Sequence, residues 1–372
     1  MRTSVQNSLL VAVSLLLGLA LVEGALRIKG DFADLASQDL IGSTAIWERP
    51  PDAVETFQHP DLQRRVQIRF DADGVRNHTD VATSRKHNIV GFFGDSFVEN
   101  RRIEDRFSFT TVLDQAAIPA GRVVNYGVDG YGLDQSYLRY RKYRMHDIRH
   151  VVYVFCDNDL RNLYETGLVE LAADGDVAVR EAGVRPLYRV LGRLHTTYLV
   201  LTAYYRAAAL FRTLRPDETA AKVEWFVDLK AQRARFHDRI ADAVVEDFLS
   251  ASPGPDTLLL ARKFLLLARK WKRELEAEGR TFTVLVLPRA IDAAVAAKLL
   301  REFDGRVVQT HGHFGDFGPY AFKTDYHWNE YGNLKIAEFL ASHDGIPFRA
   351  QLRHSVPGER LKREIDAYYG KP

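Results

Sequence analysis

Short apolar runs recur through the chain, each closed by a polar or glycine-rich cluster. Ile89–Phe93 (IVGFF), Arg122–Tyr126, Val151–Phe155 (VVYVF) and Thr283–Leu287 (TVLVL) have the length of buried strands, and Val307-Val308 marks a fifth. Helix-compatible stretches lie between and after them, among them Phe107–Ala117 and Glu330–Ser342. Apolar strands separated by helical stretches predict a parallel sheet with helices on both faces. Ligands of such sheets bind beyond the carboxyl ends of the strands. Gly94-Asp95-Ser96, Gly127–Gly132 and Cys156–Asp159 all fall at those ends, which puts them on one rim.

The pattern changes on either side of this repeat. Val66–Phe70 alternates like a half-buried strand and runs into the turn residues Asp71–Gly74, whereas about 31–61 has no clear period and reads as an irregular arm. From about 165 to 280 the β signal disappears. Leu191–Leu214 and Leu258–Glu278 carry apolar residues at helical spacing, which predicts a helical insertion. Within it, Tyr198–Phe211 is apolar enough to lie on a membrane or line an acyl pocket, but it is interrupted by Arg206 and too short to span.

Thr3–Val22 holds no charge. About 20 residues rising about 1.5 Å each just cross a hydrocarbon core of about 30 Å, so residues 1–28 read as a membrane anchor. The small-x-small triplet Gly18-Leu19-Ala20 leaves a signal peptide cleaved after Ala20 as the alternative. Either way the body, residues 29–372, is expected to be exported.

Composition narrows the chemistry. Lys+Arg 51 against Asp+Glu 49 over 372 residues gives a net charge of +2, no electrostatic case for nucleic-acid binding. The single cysteine, Cys156, excludes an intrachain disulfide and any cysteine-rich zinc site. His311 and His313 near Asp316 lack a clear third ligand, so no metal is expected.

Four positions can carry chemistry without a cofactor. Ser96 directly follows a strand, where a turn into a helix exposes the hydroxyl and aims backbone N–H groups at a developing oxyanion; the bland alternative is a capping turn. His327, two residues after Asp325, has the imidazole and the nearby carboxylate partner of a general base, though such pairs also occur in ordinary loops. Gly130 and Asn158 sit at strand ends and can donate to an oxyanion, or can serve turn geometry and capping alone.

In this order the blocks resemble the SGNH (GDSL-type) hydrolase superfamily of serine esterases and acyltransferases. GDSF at Gly94–Phe97 is similar to the first block, VVNYGVDGYG at Val123–Gly132 to the second, FCDNDL at Phe155–Leu160 to the third, and DYHWNEYG at Asp325–Gly332 to the last. The resemblance implies a flavodoxin-like three-layer α/β/α fold with a central parallel sheet. It implies Ser96 as nucleophile, His327 as base, Asp325 as its orienting carboxylate, and an oxyanion hole from Ser96, Gly130 and Asn158. The N-terminal apolar segment, the run DADGVRN at Asp71–Asn77 and the DxHWN form of the last block resemble membrane-associated bacterial members linked to exopolysaccharide or cell-envelope acyl groups.

Two departures stand out: Cys156 replaces the usual glycine of the third block, and the Asp-to-His spacing is two rather than three. The implied activity is hydrolysis of O-acyl, chiefly O-acetyl, esters of carbohydrate or cell-envelope polysaccharide, or of a small ester, with no cofactor. The alternatives are an O-acyltransferase to a sugar hydroxyl, or a non-catalytic envelope protein that binds polysaccharide through Tyr126, Tyr131, Tyr326 and Trp328.

Overall fold

The computed structural model describes residues 14, 17–28, 46, 48–62, 64–79, 82–117, 122–172, 175–180, 243–323, 326–343, 346, 348–349 and 356–371. The chain divides into two compact units, one of Glu48–Glu181 with Ile240–Pro372, the other of Met1–Trp47 with Ala182–Arg239. In the second, residues 17–28 are helical and leave Leu17, Leu19, Leu21 and Val22 exposed. No described helix is long and apolar enough to cross a membrane. The rest of the uncharged N-terminal segment lies outside the described residues, as do Leu191–Leu214 and Tyr198–Phe211.

The first unit is built on strands β1 (Val54–Gln58), β2 (Arg65–Arg69), β3 (Ile89–Phe93), β4 (Val123–Asn125), β5 (Ile148–Phe155), β6 (Val169–Leu171), β7 (Val177–Val179), β8 (Thr281–Val286) and β9 (Arg306–Gln309). Its helices are α1 (Ser96–Glu99), α2 (Phe109–Ala116), α3 (Leu133–Lys142), α4 (Asp159–Thr166), α5 (Pro255–Ala277), α6 (Ala290–Leu299), α7 (His311–Phe314), α8 (Glu330–Ser342) and α9 (Gly358–Tyr368). Strands β4-β3-β5-β8-β9 form one five-stranded sheet, every pair parallel.

Alternation along the strands makes three layers. Val151, Tyr153 and Phe155 of β5 point into a core with Tyr137 and Tyr140 of α3, Leu160 and Leu163 of α4 and Phe264 and Trp271 of α5. Val152 and Val154 point the other way, into a core with Val112 of α2, Ile336 and Leu340 of α8 and Ile365 of α9. Helix α5 earns its length from Leu260, Phe264, Leu267, Trp271 and Leu275, buried three and four residues apart, with proline in its first turn. Trp271 meets Phe93, Tyr153 and Phe282 at ring centroid distances of 5.6, 6.1 and 5.0 Å.

Counted along the chain, the sheet order is 2-1-3-4-5. It reverses between β3 and β5, so the crevice at the carboxyl ends of those two strands is the switch point where ligands of open α/β sheets bind.

Three expectations need correction. The supposedly irregular arm contains β1, which pairs antiparallel with β2 from Val54–Arg69 to Gln58–Arg65. Its side chains are half-buried at best, so no apolar alternation marked it. The insertion is not purely helical: β6 and β7 form an antiparallel hairpin, closed by Ala172 N–H donating to Asp176 O at 2.8 Å. Strands of three residues, with only Val169 and Val177 buried, are too short to display a period. Finally, Tyr126, Tyr131 and Trp328 are fully buried, so of the four rim aromatics only Tyr326 is exposed, at 78%.

Candidate active site

The turn after β3 presents Ser96. Gly94 has φ +148°, and a Cβ there would lie 2.9 Å from Val154 O and from Val98 Cγ2, so glycine is needed for the chain to leave the strand. Asp95 caps the short helix α1, its Oδ1 accepting from Phe97 N–H at 2.9 Å. Ser96 is therefore the first residue of α1, buried at the switch point.

The end of β4 is laced to this turn. Val128 N–H donates to Gly94 O at 3.0 Å, Asn125 Nδ2 donates to Val98 O at 2.6 Å, and Asp129 N–H donates to the Glu99 carboxylate at 2.8 Å. Gly127 permits the approach: a Cβ there would lie 2.4 Å from Val98 Cβ and 2.5 Å from Glu99 N. Gly130, exposed and at φ +81°, tops the same loop. Glu99 is buried beneath it and paired with Arg49 at 3.1 Å, while Arg101 pairs with Asp129. Partial burial opposes ionisation of Asp129, but Arg101 and Arg102 outweigh it and hold the carboxyl below its usual range.

At the end of β5, Asn158 occupies the cap position of α4 without using its side chain as a cap. Its amide turns to the neighbouring strand end, where Nδ2 donates to Asp95 Oδ2 at 3.2 Å. An amide nitrogen carries two N–H groups, and Asp95 takes one of them. Local satisfaction falls instead to Asp159, which accepts from Cys156 N–H at 2.9 Å. Burial pushes Asp159 far above the usual carboxylate range, with Asp95 adding like-charge repulsion. Burial also raises Asp95, against its bonds from Phe97 and Asn158 and the nearby His327.

His327 arrives from the far side on a closed loop. Ala321 and Trp328 pair as an antiparallel bridge, Phe322 N–H donates to His327 O at 3.0 Å, and Asn329 caps α8 by accepting from Gly332 N–H at 3.0 Å. Lys323 N–H donates to the Asp61 carboxylate at 3.0 Å, and His59 Nε2 sits 3.1 Å from Glu330 Oε1, so the arm grips the loop before and after the histidine. The outcome is a separation of 2.6 Å between His327 Nε2 and Ser96 Oγ across 231 residues. With Nε2 unprotonated, the serine hydroxyl donates to the imidazole, the arrangement that activates an oxygen nucleophile. Asp325, expected to orient the imidazole, lies outside the described residues.

Sequence reasoning missed a fourth strand end. After β8, Arg289 is held by Asp292 at 2.7 Å through Nε, by Asp157, and by contact of Nη2 with Cys156 Sγ at 3.0 Å. Asp157 N–H in turn donates to Asp292 Oδ1 at 2.8 Å, tying the ends of β5 and β8 together. Cys156, the unusual third-block residue, is buried with its thiol on Arg289, and burial pushes that thiol well above its usual range, keeping it neutral. Burial likewise raises Asp292, against Arg289, to about 6. Among the described residues this is the one group of acidic and thiol side chains with metal-ligand spacing, and a guanidinium already occupies it. His311 instead places Nδ1 2.8 Å from Pro288 O, and His313 packs on Phe339. The only signal for the Arg289 cluster was a polar residue after an apolar run, too common to single out.

No known protein family matches the chain, and no curated protein does either.

Proposed function

We propose that the protein is a serine esterase of SGNH-hydrolase type, acting on O-acyl esters through an acyl-enzyme on Ser96. The observation that carries this reading is the 2.6 Å separation of Ser96 Oγ and His327 Nε2 at the switch point of the sheet. Ser96 Oγ attacks the ester carbonyl carbon as His327 Nε2 takes its proton, and the carbonyl π electrons move onto oxygen. Ser96 N–H, Gly130 N–H and the second N–H of Asn158 Nδ2 receive that oxyanion in this reading. Collapse breaks the bond to the alcohol, which leaves with the proton from His327. Water then repeats the sequence on the acyl-enzyme, releasing the acid and restoring the serine. Asp325 takes the role of orienting His327 in this reading.

The substrate class rests on the sequence resemblance and on one surface feature. Tyr326, exposed beside the base, offers an apolar face on which a pyranose ring can stack, so the preferred ester is an acetylated carbohydrate. The uncharged N-terminal segment supports a membrane-tethered, exported enzyme. The test is labelling of the full chain in detergent with a fluorophosphonate, with mapping of the modified peptide, beside turnover of p-nitrophenyl acetate. Labelling at Ser96 that vanishes in His327→Ala is expected. A folded protein that hydrolyses the ester equally well as Ser96→Ala overturns the assignment.

A further inference from the structure

The residue after the nucleophile carries more than packing. The Phe97 ring is buried and stacks on the His327 imidazole, with centroids 4.7 Å apart and planes 27° from parallel. Trp328 meets the same ring edge-on at 5.5 Å. The Arg289 guanidinium lies over it as well, 5.4 Å from the centroid. Phe97 thus touches the base, while its backbone N–H bonds the Asp95 cap and its neighbour is the nucleophile.

A general base needs two orientations fixed. A hydrogen bond at Nδ1 fixes the direction of Nε2 within the ring plane, but leaves the plane free to rock about that bond. A flat apolar ring against the imidazole face restrains the rocking. Such a ring is useful only if it is itself immobile. Arg289 supplies a cation–π contact from a guanidinium braced by Asp157, Asp292 and Cys156, groups on two further strand ends.

We propose that Phe97 is a positioning residue for His327, and that Arg289, braced by Cys156, Asp157 and Asp292, holds Phe97 in that role. The inference rests on the esterase reading, because it needs His327 to be the base for Ser96. It also gives Cys156 a purpose: where a glycine would leave Arg289 without its sulfur contact, the thiol completes the brace. Arg289 and Cys156 need no contact with the ester; they act through the Phe97 ring.

The test measures kcat, KM and the rate of fluorophosphonate labelling per active site, using total incorporated probe to count sites, so that a loss of folded protein does not mimic a loss of rate. Phe97→Leu keeps an apolar side chain but removes the flat face. Misplacing a catalytic group by about 1 Å can cost about 10²-fold, and a rocking imidazole should cost about tenfold in kcat and labelling rate with KM unchanged. Phe97→Tyr keeps the face and should restore the rate to within about threefold of wild type. Arg289→Lys keeps the charge, loses the planar guanidinium, and should lower kcat several-fold by the same route.

Wild-type kcat per site in both Phe97→Leu and Arg289→Lys overturns the proposal, as does a loss in Phe97→Leu that tyrosine fails to rescue. If Phe97→Leu does not fold, Arg289→Lys decides alone. His327→Ala separates the two levels: labelling at the wild-type rate there overturns the esterase reading itself. Loss of labelling in His327→Ala with no effect of Phe97→Leu or Arg289→Lys overturns the positioning role only.

Discussion

The turns after β3 and β5 are neighbours in the sheet and follow the same plan, a strand, a short acidic or amide-bearing turn, then a helix. They spend their cap residues differently. Asp95 serves its own helix, accepting from Phe97 N–H, and also receives Asn158 from next door. Asn158 holds the corresponding cap position of α4 but gives its own helix nothing from its side chain. One turn caps its helix with the residue beside its nucleophile; the other leaves local satisfaction to Asp159 and sends Asn158 across to the first. A cap that does not cap is a departure from local consistency, and such departures concentrate at functional sites.

The largest break in this comparison is at the nucleophile. Ser96→Ala leaves Asp95 and its cap intact and should lower ester turnover by about 10⁴-fold or more, with a melting temperature near that of wild type. Asn158→Ala comes next. If the amide serves the oxyanion, kcat falls about 10²–10³-fold while the stability of α4 barely changes. A capping role would give the opposite pattern, a loss of about 1 kcal/mol in unfolding free energy with kcat intact. Steady-state kinetics and urea denaturation on the same preparation distinguish the two.

Much of this plan was legible in the chain. The run IVGFF coincides with β3, and the apolar run from Val151 to Phe155 falls within β5, because buried parallel strands must be apolar on both faces. Glu330–Ser342 begins and ends as expected, since Asn329 is a good cap. The pairing of Ser96 with His327 was an expectation from motif order, and the fold brings those two atoms together. What stayed hidden was relational. Nothing in the spacing of Phe97, Cys156 and Arg289 says that three strand ends converge on one ring. Nor does the composition of Val54–Gln58 distinguish an edge strand from an irregular arm, because its side chains bury little. Tyr126, Tyr131 and Trp328 are expected at the rim from their place near the strand ends, yet all three are buried, Tyr126 in one of the sheet's cores and Trp328 in the other.

Gly127→Ala probes the lacing between strand ends rather than either turn. A methyl group there must displace Val98 and the backbone at Glu99, at 2.4 and 2.5 Å, within the helix that starts at Ser96. Overpacking of this kind costs about 1–3 kcal/mol, read by denaturation. Because Val98 follows Ser96 by two residues, the labelling rate of the surviving folded protein should fall as well.

The smallest expected effect sharpens the comparison most, because it asks what Asp95 gives to each turn. Asp95→Asn retains an equally good cap toward Phe97 N–H, so α1 should persist. The same change turns an acceptor into a donor facing Asn158 Nδ2, so the cross-turn bond is lost and kcat should drop several-fold. Stability against pH isolates the carboxyl. Burial raises the folded-state pKa of Asp95, with His327 and Asn158 opposing and Asp129 adding repulsion. A raised acid pKa gives stability that is fully present below the unfolded value of about 3.9 and is lost as pH rises through the folded value. The amide has no such dependence, so Asp95→Asn should gain on wild type as pH climbs from 4 toward 8. Unfolding free energies that run parallel across that range would mean Asp95 ionises as easily in the fold as out of it. The turn would then be holding a solvated cap rather than a buried carboxyl shared between two strand ends.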